Sequence, residues 1–167
     1  GRYAGFQEQA NANSIQAEVH KALKIYFRRE FELTGSSRTD TGVHARVNYL
    51  HFDGDLDTNW QNAVYHLNAI LPDDIVLLEI LPVADDAHCR FDAISRSYEY
   101  SIYRKKDPFL NDRAYYFPYK LDFDLLNAAA AVIPRYENFE TFSKRNTHVN
   151  HFNCKISESE WQIRTSN

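Results

Sequence analysis

At 167 residues, with 44% hydrophobic and 25% charged side chains, the chain has the length of one ordinary domain or two small ones. That balance excludes a disordered polymer, and no apolar run approaches the ~20 residues that span a bilayer. The net charge of −4 argues against nucleic acid only weakly, because the charge is uneven: residues 21–46 carry +3 (six basic, three acidic), 47–95 carry −8 (one basic, nine acidic) and 96–120 carry +3 (six basic, three acidic).

In chain order, residues 13–29 predict an amphipathic helix. Asn13 or Ser14 caps it, and Ile15, Val19, Leu23 and Tyr26 fall near one face. FELT at 31–34 alternates as a short strand, and NYLHFD at 48–53 as a second. TNWQNAVYHLNAI at 58–70 predicts another helix, capped by Thr58 or Asn59 and ended before Pro72. IVLLEILPV at 75–83 is apolar enough for a buried strand, and HCRFDA and RSYEYSIYR read as further strands. In the last of these, Tyr98, Tyr100 and Ile102 share a face, with Tyr100 expected in the core. KKDPFLND is a loop, and 122–133 a third helix started by Asp122 or Asp124. Strands interleaved with helices predict an α+β or α/β fold.

Between the first two strands lies GSSRTDTGVHA, residues 35–45. Asp40, beside hydroxyls and backbone N–H groups, is a carboxylate that stays ionised and can serve as nucleophile or base. Read alone, the same residues favour an Asx-turn. Arg38 suits phosphate or base contact, though on type alone an ordinary surface position is the commoner case, and His44 at a strand start is more often a support than a catalyst. Tyr98, following Arg96 in R-S-Y-E-Y, has the setting of a base-stacking ring or of a core residue. The histidines and the two cysteines, Cys89 and Cys154, show no zinc-ligand spacing, so no metal is expected, and so few cysteines suit a reducing, cytoplasmic setting. A Walker loop, a GxGxxG and a GxSxG are all missing from the sequence.

The loop closely resembles the signature G-A-G-R-T-D-A-G-V-H-A of the TruA family of tRNA pseudouridine synthases. Other blocks follow in the family's order: YAGFQEQ at 3–9, HFD at 51–53, LNAILPDDI at 67–75, HCRFDAISRSYEYSIY at 88–103 and YENFETFSK at 136–144. The resemblance implies isomerisation of uridine to pseudouridine in the anticodon stem-loop of tRNA, without metal or other cofactor, by a homodimer with a basic tRNA cleft. It implies an α+β fold of two ferredoxin-like-derived domains, 1–92 and 93–167, each a mixed or antiparallel sheet with helices on one face, and an active site between them. Carried over by motif, the catalytic aspartate is Asp40, the arginine that takes the place of the flipped base is Arg38, and the tyrosine against the uracil is Tyr98. His44 and Arg96 are supporting candidates. Lys21, Lys24, Arg28, Arg29 and Arg46 are candidates for tRNA phosphate contacts.

The sequence departs from the family pattern at Ser36 and Ser37, which stand in place of Ala-Gly. That change is tolerable only if the backbone there avoids positive φ. With no methionine and an opening on GRYAGFQEQ, the chain reads as a fragment. On the family pattern the first strand precedes Gly1, and the arginine that pairs with the aspartate lies beyond Asn167. The alternatives are an RNA-binding module that keeps the fold without the activity, and a glycosidic hydrolase, which needs a second carboxylate in a comparable motif.

Overall fold

The computed structural model describes residues 2–54, 59–143 and 151–164. It is α+β, built from short elements: helix α1 (Ile15–Phe27), strands β1 (Thr34–Gly35) and β2 (Leu50–His51), helix α2 (Trp60–Ile70), strands β3 (Ile102–Tyr103) and β4 (Tyr115–Tyr116), and helix α3 (Phe123–Ala130). Two compact units result, Gly1–Tyr116 and Phe117–Asn167.

The core of the first unit forms where α1 meets α2. Val19, Ala22 and Leu23 of α1 pack with Phe31 and with Ala63, Leu67 and Leu71 of the α2 region. Phe27, Phe31, Phe52 and Trp60 extend this core as a chain of tilted and edge-on rings. The caps account for where the helices start. Ser14 Oγ accepts from the Ala17 N–H at 3.2 Å, and Asn59 Oδ1 from the Asn62 N–H at 3.1 Å; Thr58, the other cap candidate, lies outside the described residues. The first turn of α1 is further closed by the carbonyls of Gly5 and Phe6, which accept from the N–H groups of Ile15 and Gln16. Its last turn ends at Arg28, whose φ of 55° is left-handed.

Because Ser14 is fully buried, Ser14→Ala removes a helix cap that water cannot replace. The expected cost is about 1–2 kcal/mol, checked by chemical denaturation.

The strands depart most from expectation. β1 and β2 pair antiparallel over two residues each (Thr34↔His51, Gly35↔Leu50), and β3 pairs in parallel with β4 (Ile102↔Tyr115). The segment 75–83 is not a buried strand. Ile75, Leu77 and Ile80 are half-buried against the core while Val76, Leu78, Leu81 and Val83 are exposed. A side chain takes the place of a neighbouring strand there: the Asn68 carboxamide accepts from the Leu77 N–H and donates to its carbonyl, both at 2.8 Å.

HCRFDA is a turn, because Asp92 Oδ2 accepts from the His88 N–H at 2.6 Å and His88 Nδ1 accepts from the N–H groups of Arg90 and Phe91. Of RSYEYSIYR only Ile102–Tyr103 is paired, and Tyr100 is 87% exposed rather than in the core.

In the second unit, Asp122 caps α3 through the Leu125 N–H. Asn127 repeats the device of Asn68 on Trp161, accepting from its N–H at 2.9 Å and donating to its carbonyl. The expected helix over 122–133 stops at Ala130, and Ile133–Arg135 around Pro134 is a separate 3-10 turn.

Candidate active site

Two strands of two residues each hold the ends of the loop 36–49, and most of its structure comes from what packs behind it. Phe6, buried, lies against Gly35, where a Cβ would come within 2.5 Å of the Phe6 ring. The Phe6 N–H donates to the Thr39 carbonyl at 3.0 Å. Gly5 comes so close that a Cβ there would lie 2.7 Å from the same carbonyl oxygen. Arg2 Nη2 and the Tyr3 hydroxyl both donate to Asp74 Oδ1, at 2.7 and 2.6 Å, and hold the segment from its other side. The Tyr3 hydroxyl and Arg2 keep the Asp74 carboxyl below its usual range.

At the tip, the Val43 N–H donates to the Asp40 carbonyl at 3.2 Å, closing a turn over Thr41 and Gly42. Gly42 has φ +86°, so this turn needs glycine at its third position. Ser36 and Ser37 have no positive φ, so the two replacements in the signature sit on ordinary backbone.

Beside the loop lies an open cleft of about 330 Å³. The loop contributes Ser36, Ser37 and Arg38; the 88–92 turn contributes Arg90 and Phe91; the segment after it contributes Arg96 and Tyr98. The turn is tied to the strands, because the Cys89 N–H donates to His51 Nδ1 at 3.2 Å and its thiol to the Thr34 carbonyl at 3.3 Å. Burial pushes that thiol's pKa up, which keeps it neutral and in a structural role.

Arg96 is a cross-link. One guanidinium nitrogen donates to the Ser36 carbonyl at 2.8 Å and to the Arg90 carbonyl at 3.3 Å, joining the loop to the turn. Arg38 and Arg90 are paired with no carboxylate among the described residues, so the cleft is cationic and these two guanidinium groups are open to an anion. Tyr98 and Phe91, 69% and 76% exposed, add two ring faces. Guanidinium groups beside open aromatic faces suit an unstacked nucleotide, with phosphate on the arginines and base on a ring.

The structure thus brings Arg38, Arg96 and Tyr98 together in one cleft. Asp40 sits two residues on, exposed, and does not line it. His44 Nε2 donates to the Asp112 carbonyl at 3.0 Å, which ties the loop to the segment before β4. Among the phosphate-contact candidates, Lys24 pairs with Glu30, Arg46 reaches Glu99 at 3.4 Å and Arg29 lies over the Phe31 ring at 4.7 Å. Lys21 and Arg28 are exposed.

A family model described as tRNA pseudouridine synthase matches residues 2–92, which hold the whole loop and everything packed behind it. The chain belongs to the tRNA pseudouridine synthase family. The sequence is 44% identical to tRNA pseudouridine synthase A of Porphyromonas gingivalis, over 96% of this chain and 64% of the relative. It is 39% identical to the protein of that name from Parabacteroides distasonis, over 95% and 64%, and 40% identical to that from Staphylococcus saprophyticus, over 89% and 56%. The chain therefore spans about 64% of the length of the first curated relatives it matches.

Within this family frame, sequence reasoning missed Arg90 and Phe91 as cleft residues. Both lay in a block read as a strand, although His88 and Asp92, four apart around them, are the residues that cap a turn. Among the described residues no group of three or more His, Cys, Asp or Glu side chains is placed to hold a metal, and no helix is long and apolar enough to cross a membrane.

Proposed function

We propose that the native protein carrying this sequence converts uridine to pseudouridine in tRNA, in the anticodon stem-loop. The observation that carries this is the cleft: Arg38 of the family loop and the open Tyr98 ring line one cationic pocket, two residues from the exposed carboxylate of Asp40.

The reaction breaks the bond from the sugar C1′ to uracil N1, turns the base, forms a C1′–C5 bond and releases the C5 proton while N1 takes one up, so the product is an isomer with no net redox change. The target nucleotide must first leave its stack, at a cost of a few kcal/mol. Arg38 takes the vacated place and meets the flanking phosphate, while Tyr98 stacks on the extruded base and keeps the detached uracil from escaping. Asp40 is the carboxylate that acts on the target nucleotide, and Arg96 and His44 hold the loop that carries it. The protein works as a cytoplasmic homodimer of two-domain subunits, each with ferredoxin-like-derived α+β halves dividing near 92/93 and the active site between them, and uses no cofactor. Lys21, Lys24, Arg28, Arg29 and Arg46 serve as outer phosphate contacts.

The test offers the full-length native protein a tRNA carrying tritium at uridine C5. Release of tritium to water is the expected result. Affinity for tRNA should fall with salt, log K against log [salt] having a slope of about −0.7 to −0.9 per phosphate neutralised. Binding without release would leave an RNA-binding module, and free uracil would indicate a hydrolase.

A further inference from the structure

Asn48 is a residue that neither the motif nor the family reading singles out, yet its carboxamide collects the start of the loop. The Ser36 hydroxyl donates to Asn48 Oδ1 at 2.7 Å and the Ser37 hydroxyl to the same oxygen at 3.0 Å. The Tyr49 N–H also donates to it at 3.0 Å, which fixes which end of the carboxamide faces the serines, since an N–H needs an acceptor. Ser36 is then held on every side. Its N–H donates to the Tyr49 carbonyl at 2.8 Å, its hydroxyl oxygen accepts from the Tyr49 N–H at 3.3 Å, and its carbonyl accepts from Arg96. Ser37, bonded to Asn48 at its hydroxyl, is the residue joined to Arg38.

The other end of the carboxamide is the informative part. Asn48 Nδ2 is buried and has no hydrogen-bond partner among the described residues. Buried donors are nearly always satisfied, and each exception calls for an explanation. An apolar residue of similar size would leave nothing unsatisfied on that side. Asparagine carries a cost there, and what it provides is a single oxygen shared by the two serines that precede Arg38.

We infer that Asn48 is a positioning residue: through the hydroxyls of Ser36 and Ser37 it fixes the peptide that aims Arg38 into the cleft. This rests on the reading that Arg38 takes the place of the extruded base. An arginine that must enter a gap of base size tolerates little misplacement, and errors near 1 Å can cost on the order of 100-fold in rate. The same network explains Ser36 and Ser37: they are handles for Asn48 where the usual signature has Ala-Gly.

The test is a double-mutant cycle on the full-length native protein, with kcat from tritium release and tRNA affinity measured separately. Asn48→Ala is expected to lower kcat by about 10–100-fold while the affinity changes less than about threefold. Asn48→Asp, which keeps the acceptor, should recover most of that loss. Ser36→Ala/Ser37→Ala should lower kcat to a similar degree, and adding Asn48→Ala to that pair should cost nothing more, because coupled residues are non-additive. Multiplicative losses, an Asp variant as poor as Ala, or a loss confined to affinity overturns the inference while leaving the activity reading intact. No tritium release from the unmodified protein overturns both. Should Asn48→Ala melt below the assay temperature, Ser37→Ala alone decides: lowered kcat at unchanged affinity supports the inference, and unchanged kcat overturns it.

Discussion

Asp40→Asn is expected to reduce tritium release from C5-labelled tRNA by at least about a thousandfold, with tRNA affinity unchanged or slightly tighter. The substitution changes no heavy-atom shape. The turn at this position is closed by the Asp40 backbone carbonyl, which receives the Val43 N–H, and by the left-handed Gly42; neither depends on the side-chain charge. The fold therefore survives, and melting temperature should move by no more than a degree or two. What disappears is the ability to attack a carbon or accept a proton. Removing an exposed negative charge two residues from Arg38 eases the approach of an RNA backbone, so weakened binding is not the expected outcome.

The geometry sharpens the prediction further. Because Asp40 lies outside the cleft that Arg38 and Tyr98 line, a substrate using all three must reach from the cleft to the turn. Arg38→Ala should then weaken both kcat and affinity, in contrast to Asp40→Asn. If the Asp40→Asn variant releases tritium at the unmodified rate, the carboxylate has no part in the chemistry.

The helices were legible from the sequence because what starts and stops them is local. Ser14, Asn59 and Asp122 each cap within three residues of themselves, and the apolar spacing of α1 and α2 points at one shared core. The strands were less legible, since a strand exists only where a partner is present. IVLLEILPV has the composition of a strand, but Asn68 meets Leu77 with a side chain, and composition carries no information about that. HCRFDA was misread for a related reason: its alternation is real, but the side chains of His88 and Asp92 outcompete extended pairing by bonding their own backbone.

The site divides in the same way. Arg38 and Asp40 are ambiguous as residue types, and only the family resemblance carried by the ordered motifs suggests roles for them. Arg90 and Phe91 lie inside the matching block at 88–103, but that they meet the loop in one cleft, like the reach of Asn48, is set by the fold and not by the motif. Asn48 reaches back to Ser36 and Ser37, and Arg96 joins Ser36 to Arg90.

Gly5→Ala is expected to cost about 2–4 kcal/mol of stability and to lower kcat more than the stability loss alone explains. Gly5 has φ +102°, where any side chain is strained, and its Cβ would lie 2.7 Å from the Thr39 carbonyl oxygen. Left-handed backbone costs roughly 1–2 kcal/mol for an L-residue, and overpacking adds about 1–3. The obstructing atom is backbone, so it cannot swing away; either the loop shifts or the segment does.

Both displacements damage something specific. The Gly5 and Phe6 carbonyls receive the first N–H groups of α1, and the Phe6 N–H holds Thr39. A shift therefore opens the helix start on one side and moves the residue before Asp40 on the other. Gly42→Ala is the matched control: its φ of +86° is also positive, but nothing lies within 4 Å of a Cβ there. It should cost only the backbone term of about 1–2 kcal/mol. Denaturant midpoints for the two variants, set beside kcat at a temperature where both are folded, separate strain from displacement. Equal stability losses would mean that Gly5 is needed only for its φ; a clearly larger loss and slower turnover for Gly5→Ala would show that the close approach of residues 5–6 holds the loop of Arg38 and Asp40 in place.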